Sequence, residues 1–82
     1  MKIKIGKYIC YRYESKIKGG KCFIFNLDTG KIYLSSKAAF DILEFIEFNE
    51  PSPEELYNNF AGDKPKLFVH NMVNIGVLSY ES

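Results

Sequence analysis

Apolar and polar positions recur at two different periods along this chain, and the switch falls near Ser35. Before it the period is close to two. Lys7-Tyr8-Ile9-Cys10-Tyr11-Arg12-Tyr13-Glu14 is rich in aromatic and β-branched residues, with Ile9, Tyr11 and Tyr13 on one face. That pattern predicts a strand. Gly19-Gly20 then marks a turn. Lys21-Cys22-Phe23-Ile24-Phe25-Asn26 is a second run, apolar on both faces, which suits the middle of a sheet. In Leu27-Asp28-Thr29-Gly30, Asp28 favours turn initiation and Gly30 tolerates the positive φ a turn needs. Lys31-Ile32-Tyr33-Leu34-Ser35 closes a hairpin as a third strand. A meander in this order leaves the third strand with a free edge.

After Ser35 the period lengthens to about 3.6. Ser35 or Ser36 can N-cap a helix over 36–48, in which Ala39, Ile42, Leu43 and Ile46 form an apolar stripe. Phe40, Phe45 and Phe48 widen it, and Asn49-Glu50-Pro51 ends it. Ser52-Pro53-Glu54-Glu55 is the sharpest local signal: an N-cap, a proline in the first helical position and a capping-box glutamate. This second helix runs through Leu56, Tyr57 and Phe60 to Ala61-Gly62. Asp63 or Lys64 opens a third, with Phe68, Val69, Met72 and Ile75 on one side and Gly76 as its C-terminal cap. Val77-Leu78-Ser79-Tyr80 is an apolar tail that pairs back on the sheet or packs under it. The order predicts an α+β fold of winged helix-turn-helix type, a three-stranded antiparallel sheet followed by three helices, in one domain spanning 1–82.

Composition limits what such a domain does. With 82 residues there is no room for separate cofactor and substrate domains. Aromatic residues at 16% supply large buried areas, so a short chain still builds a core. No apolar run approaches the roughly 20 residues of a membrane span. The start, MKIKIGKYIC, lacks an apolar signal-peptide core, so the expected location is the cytoplasm. Cys10 and Cys22 are then expected to be buried free thiols. The net charge of +1 hides an asymmetry. Residues 1–37 carry nine bases and two acids, a balance of +7, whereas residues 38–82 carry two bases and eight acids, a balance of −6. Such an asymmetry is either the ordinary solvation of two faces or a basic surface that receives an acidic partner.

Catalytic chemistry has little to build on. His70 is the single histidine and has no clustered Cys, His or carboxylate partners for a metal. Gly19-Gly20 leads into a strand, whereas a phosphate cradle leads into a helix. Glu44, Glu47, Glu54 and Glu55 fall on solvent faces or in a cap, not in a pocket that perturbs a carboxyl. We expect no enzyme activity, no cofactor and no metal. A nucleic-acid reading places the third helix in a groove with Lys64, Lys66, His70, Asn71 and Asn74. The seven acids from Asp41 to Asp63 repel phosphate and argue against it.

Read together, Cys22-Phe23-Ile24-Phe25, Ile32-Tyr33-Leu34, Ala38, Ile42 and Leu43, Ser52-Pro53-Glu54-Glu55-Leu56, Phe68-Val69, Met72 and Gly76-Val77-Leu78 form a pattern over residues 8–80. It resembles the PqqD-like peptide chaperones and the wider group of precursor-peptide recognition elements of ribosomal peptide natural-product pathways. Phe48-Asn49-Glu50-Pro51 departs from the Asp-Gly type of turn expected there. The resemblance implies a domain that binds the leader of a precursor peptide and delivers it to a modifying enzyme, such as a radical SAM protein, a cyclase-type enzyme or a leader protease. The leader would add as a strand to the third strand and lie in the groove toward the third helix.

The residues agree with such a site. A free edge at Lys31, Ile32, Tyr33, Leu34 and Ser35 offers backbone groups for strand addition, and Lys31 favours an acidic leader. On a helical wheel Lys64, Leu67, Phe68 and Asn71 form the flank expected to line the groove, and Lys66, Val69, His70 and Val73 form the other. A module that docks on a folded protein through an exposed strand is the remaining alternative.

Overall fold

Residues 1–82 are described by a computed structural model. The chain runs β1 (Lys2–Ile5), β2 (Ile9–Glu14), β3 (Lys21–Asn26), β4 (Ile32–Ser35), α1 (Lys37–Asn49), α2 (Pro53–Asn59), α3 (Lys64–Asn74) and β5 (Leu78–Glu81). The domain is α+β, with antiparallel sheets and three helices.

One sheet has the order β2-β3-β4. Its inner face carries Tyr11 and Tyr13 from β2, Cys22 and Ile24 from β3, and Tyr33 from β4. Cys22 and Ile24 are fully buried, and they share the core with Ile42, Leu43 and Ile46 of α1. Phe40 of α1 fills the space over β2, its ring centroid 5.7 Å from Tyr11 and 5.3 Å from Tyr13. The outer face carries Cys10 and Arg12, Phe23 and Phe25, and Ile32 and Leu34. It is left open, with Ile32 63% and Leu34 61% exposed.

Two hairpin turns set this sheet. Between β2 and β3, Gly19 and Gly20 take φ of 77° and 69°. A Cβ at Gly20 would fall 1.9 Å from the Tyr13 hydroxyl, so a larger residue there would have to displace the Tyr13 ring. Between β3 and β4, Asn26 organises the turn rather than Asp28. Its side-chain oxygen accepts from the Asp28 and Thr29 amides at 3.0 and 3.1 Å, and its carbonyl accepts from Gly30 at 2.8 Å.

The expected layout omitted β1 and left open whether the tail, here β5, pairs or packs. Lys2-Ile3-Lys4-Ile5 pairs with the C-terminal segment, Ile3 opposite Tyr80 and Ile5 opposite Leu78, in a separate two-stranded sheet. The tail therefore joins the N-terminus and not the main sheet. Ile3, Val77 and Leu78 are core residues, and the Ile3 amide bonds Pro51 at 2.8 Å. Lys4 bridges Glu81 at 3.2 Å and Glu50 at 3.4 Å, and these partners raise its pKa.

The helix ends follow local chemistry. The Ser36 hydroxyl accepts from Ala39, and Ser52 with Glu55 forms the full capping box at 3.2 Å in each direction. After α3, Gly76 at φ 81° donates to Val73 and Val77 donates to Met72, a complete Schellman closure. That closure aims the chain into β5. Pro65 and Val69 are the buried residues of α3, while Ile75 lies beyond the helix as its cap and is partly exposed. Glu50 caps α1 at φ 43°. It occupies the left-handed position where glycine costs least, so the Asn49-Glu50-Pro51 junction holds a residue with a side chain where a turn of this kind favours glycine.

Two stability changes follow. Glu50→Gly is expected to relieve the left-handed strain and stabilise the domain by about 1 kcal/mol, a rise of about 4–8 °C in Tm. The lost Lys4 contact is solvent-exposed, and Lys4 keeps Glu81. Ser52→Ala is expected to destabilise by about 1 kcal/mol through loss of the cap. Thermal unfolding of both variants followed by circular dichroism checks these signs.

Candidate functional site

The site begins with the β3–β4 hairpin. The Asn26 amide donates to the Lys31 carbonyl at 2.9 Å. Antiparallel ladders alternate bonded and non-bonded pairs, so this bond sets the parity of the whole strand. Tyr33 and Ser35 turn their backbone groups toward Ile24 and Cys22, and the Lys31 carbonyl turns toward Asn26, while the Lys31 amide donates to the Thr29 hydroxyl at 3.3 Å. Ile32 and Leu34 turn theirs the other way, onto the open edge of a sheet in which β4 has β3 as its only neighbour. Their N–H and C=O groups are spaced about 6.8 Å apart along the strand, the repeat a second strand requires.

Side chains divide by the same parity. Ile32 and Leu34 stand on the outer face, while Tyr33 is half-buried and packs against the core. Where β4 ends, the chain borders a cavity of about 470 Å³. Ser35 and Ser36 form its near wall, Ala38, Asp41 and Ile42 of α1 its floor, and Phe60, Lys64, Pro65 and Phe68 its far wall. The lining thus mixes apolar side chains with the charges of Asp41 and Lys64. Asp41 is held by Lys37 at 3.1 Å, whereas Lys64 and Lys31 make no ion pair. Two free cations flank the edge and the cavity.

The residues expected to act together are only partly brought together. Ser35, Lys64 and Phe68 line the one cavity, and Lys31, Ile32, Tyr33 and Leu34 lead away from it along β4. Leu67, 61% exposed, lines a second shallow depression with Asp63, Lys64, Lys66 and His70, so Lys64 borders both hollows. Asn71 is exposed and lines neither. Phe60 and Asp41 were not anticipated. Phe60 reaches the cavity from the α2–α3 turn, where it also packs edge-on against Phe45 at 5.6 Å. Its place depends on how two helices fold back on each other, which leaves no local mark.

The ionisable groups form no nucleophile and base arrangement near the edge. The Tyr11 hydroxyl donates to Glu47, and burial together with that carboxylate raises its pKa. No group of three or more His, Cys, Asp or Glu side chains converges. The two thiols differ, against expectation. Cys22 is buried, which pushes its pKa up to about 11, but Cys10 stands exposed on the outer face because it shares parity with Phe25 and not with Cys22.

No protein-family model matches the chain, and neither does any curated protein or solved structure.

The thiol difference is directly measurable. At mildly alkaline pH one equivalent of a thiol reagent is expected to react rapidly with the native protein, and the second only after denaturation. Cys10→Ser should abolish the fast phase. Rapid reaction of both thiols would contradict an inner face closed over Cys22.

Proposed function

We propose that this chain is a non-catalytic, winged helix-turn-helix-like domain that captures the leader segment of a ribosomally made precursor peptide. It delivers that leader, in the cytoplasm, to a modifying enzyme or leader protease, as the resemblance to PqqD-like proteins implies. The observation that carries the reading is the β4 edge: unpaired backbone groups at Ile32 and Leu34 run up to a cavity bounded by Ser35, Lys64 and Phe68. An extended peptide satisfies such groups by strand addition and places alternate side chains on either face. Residues opposite Ile32 and Leu34 meet the apolar outer face. The residue between them points inward beside Tyr33, and the next toward that side falls at the cavity mouth. Lys31 and Lys64, both without an ion pair, favour a leader carrying acidic residues.

A second reading has its own observation. Lys64, Lys66, His70, Asn71 and Asn74 are all exposed on α3, the helix a helix-turn-helix protein places in the major groove. The acids of α1 and α2 weigh against it. Salt separates the two, because DNA affinity falls steeply with ionic strength and strand addition does not.

The test is a backbone-amide NMR titration with synthetic peptides covering the N-terminal halves of small precursors encoded beside this chain. Shifts are expected at Lys31–Ser35 and at Lys64–Phe68. Leu34→Pro removes an outward N–H without taking a bond from the β3–β4 ladder. It is expected to weaken binding by about tenfold or more while the fold is retained. Binding unchanged in Leu34→Pro, or shifts confined to Lys66 and His70, would refute strand addition.

A further inference from the structure

The open edge of β4 is also complementary to itself. An isologous contact requires that residue i meet j on the partner copy and j meet i. Centred on Tyr33, an antiparallel pairing sets Ile32 opposite the Leu34 position of a second copy, and Leu34 opposite its Ile32 position. Both residues turn their backbone groups outward, so this register forms two bonded pairs and leaves none of those groups unpaired. The neighbouring registers do not. A twofold axis at Ile32 relies on Gly30, whose amide is already spent on Asn26 at 2.8 Å and whose φ of 76° lies outside strand geometry. An axis at Leu34 relies on Ser36, whose carbonyl already accepts from Phe40 at 3.2 Å.

We propose that, without a peptide, β4 pairs with β4 of a second copy in the Tyr33-centred register, and that this dimer and the leader complex exclude each other. The exclusion rests on the leader reading; the dimer does not. Three further features of β4 favour it. Lys31 is its one flanking charge, and the register places it opposite Ser35, so no like charges face each other. Ile32 and Leu34, 63% and 61% exposed, come to lie side by side across the new junction. This joins the Phe23, Phe25, Ile32, Leu34 strip to its copy along a six-stranded sheet. Finally, the strand carries no proline, bulge or inward-pointing charge, the usual devices against edge pairing. A four-residue strand buries far less than a standard interface, so the dimer is weak and concentration-dependent.

Sedimentation equilibrium from micromolar to millimolar protein tests it, with amide hydrogen exchange at the two extremes. The weight-average mass is expected to rise from 9.5 kDa toward twice that value, with Ile32 and Leu34 amides gaining protection in step. Leu34→Pro is expected to stay at the monomer mass with its circular dichroism unchanged. The wild-type exchange data carry the test if that variant fails to fold. A wild-type mass that stays monomeric at millimolar protein overturns the dimer. So does association that protects nothing at Ile32 and Leu34 and instead shifts Cys10 and Arg12, the mark of face-to-face sheet packing. Adding a leader that binds is expected to return the mass to one copy plus one peptide. A bound leader with the dimer mass retained overturns the exclusion alone. If no leader binds, the leader reading fails, and mass and exchange still decide the dimer.

Discussion

The bond from the Asn26 amide to the Lys31 carbonyl decides which backbone groups this domain offers to solvent. Because a strand alternates strictly, that contact commits Tyr33 to β3 and releases Ile32 and Leu34 to the edge. A one-residue slip would invert the assignment and turn every side chain of β4 to the other face. What prevents the slip is not the bond's own strength, which is on the order of 1 kcal/mol net. It is the inner face: Tyr33 packs on the core beside Ile24, and a slip would drive exposed Ile32 and Leu34 inward while expelling Tyr33. Asn26 adds the local part, since its side chain ties Asp28 and Thr29 into a turn of defined length.

The rest of the fold holds that hairpin against the helices. α1 covers β2 and β3 with Ala39, Ile42, Leu43 and Ile46, and its first turn follows directly from the last residue of β4. The end of the edge and the start of the cavity are therefore the same stretch of chain. The far wall depends on α3, and α3 is fixed through its C-terminal end. The Schellman closure at Gly76 sends Val77 and Leu78 into the core, and β5 clasps β1. The two ends of the chain thus position the wall that carries Lys64 and Phe68, although neither end touches the cavity.

Much of this was legible in the sequence where the signal is local. The capping box at Ser52, the apolar stripe of α1, the two-faced strand from Cys22 to Phe25 and the glycine after α3 each follow from a few neighbouring residues. What escaped depends on distant partners. Lys2-Ile3-Lys4-Ile5 alternates as a strand should, yet four residues make a weak pattern and their partner lies at the other end of the chain. Cys10, expected inside, is the exception: the alternation that half-buries Ile9 and Tyr11 turns it out, a local signal that was legible. Along α3, the helical wheel grouped Lys64, Leu67, Phe68 and Asn71; Lys64 and Leu67 do share a depression, but only Lys64 and Phe68 of the four line the cavity beside β4, and Asn71 lines neither. The edge residues Lys31 to Ser35 were readable as an edge from the order of strands. Which of them face outward was not, because parity is set by the Asn26 turn together with the packing of Tyr33 on a core that distant elements build.

Amide hydrogen exchange on the free protein at low micromolar concentration reads that parity residue by residue. Ile32 and Leu34 amides are expected to exchange nearly as fast as in an unstructured chain, while the Tyr33 amide between them is strongly protected by its bond to Ile24. Protection at Ile32 and Leu34 with fast exchange at Tyr33 would mean the opposite parity, and the edge described here would not exist.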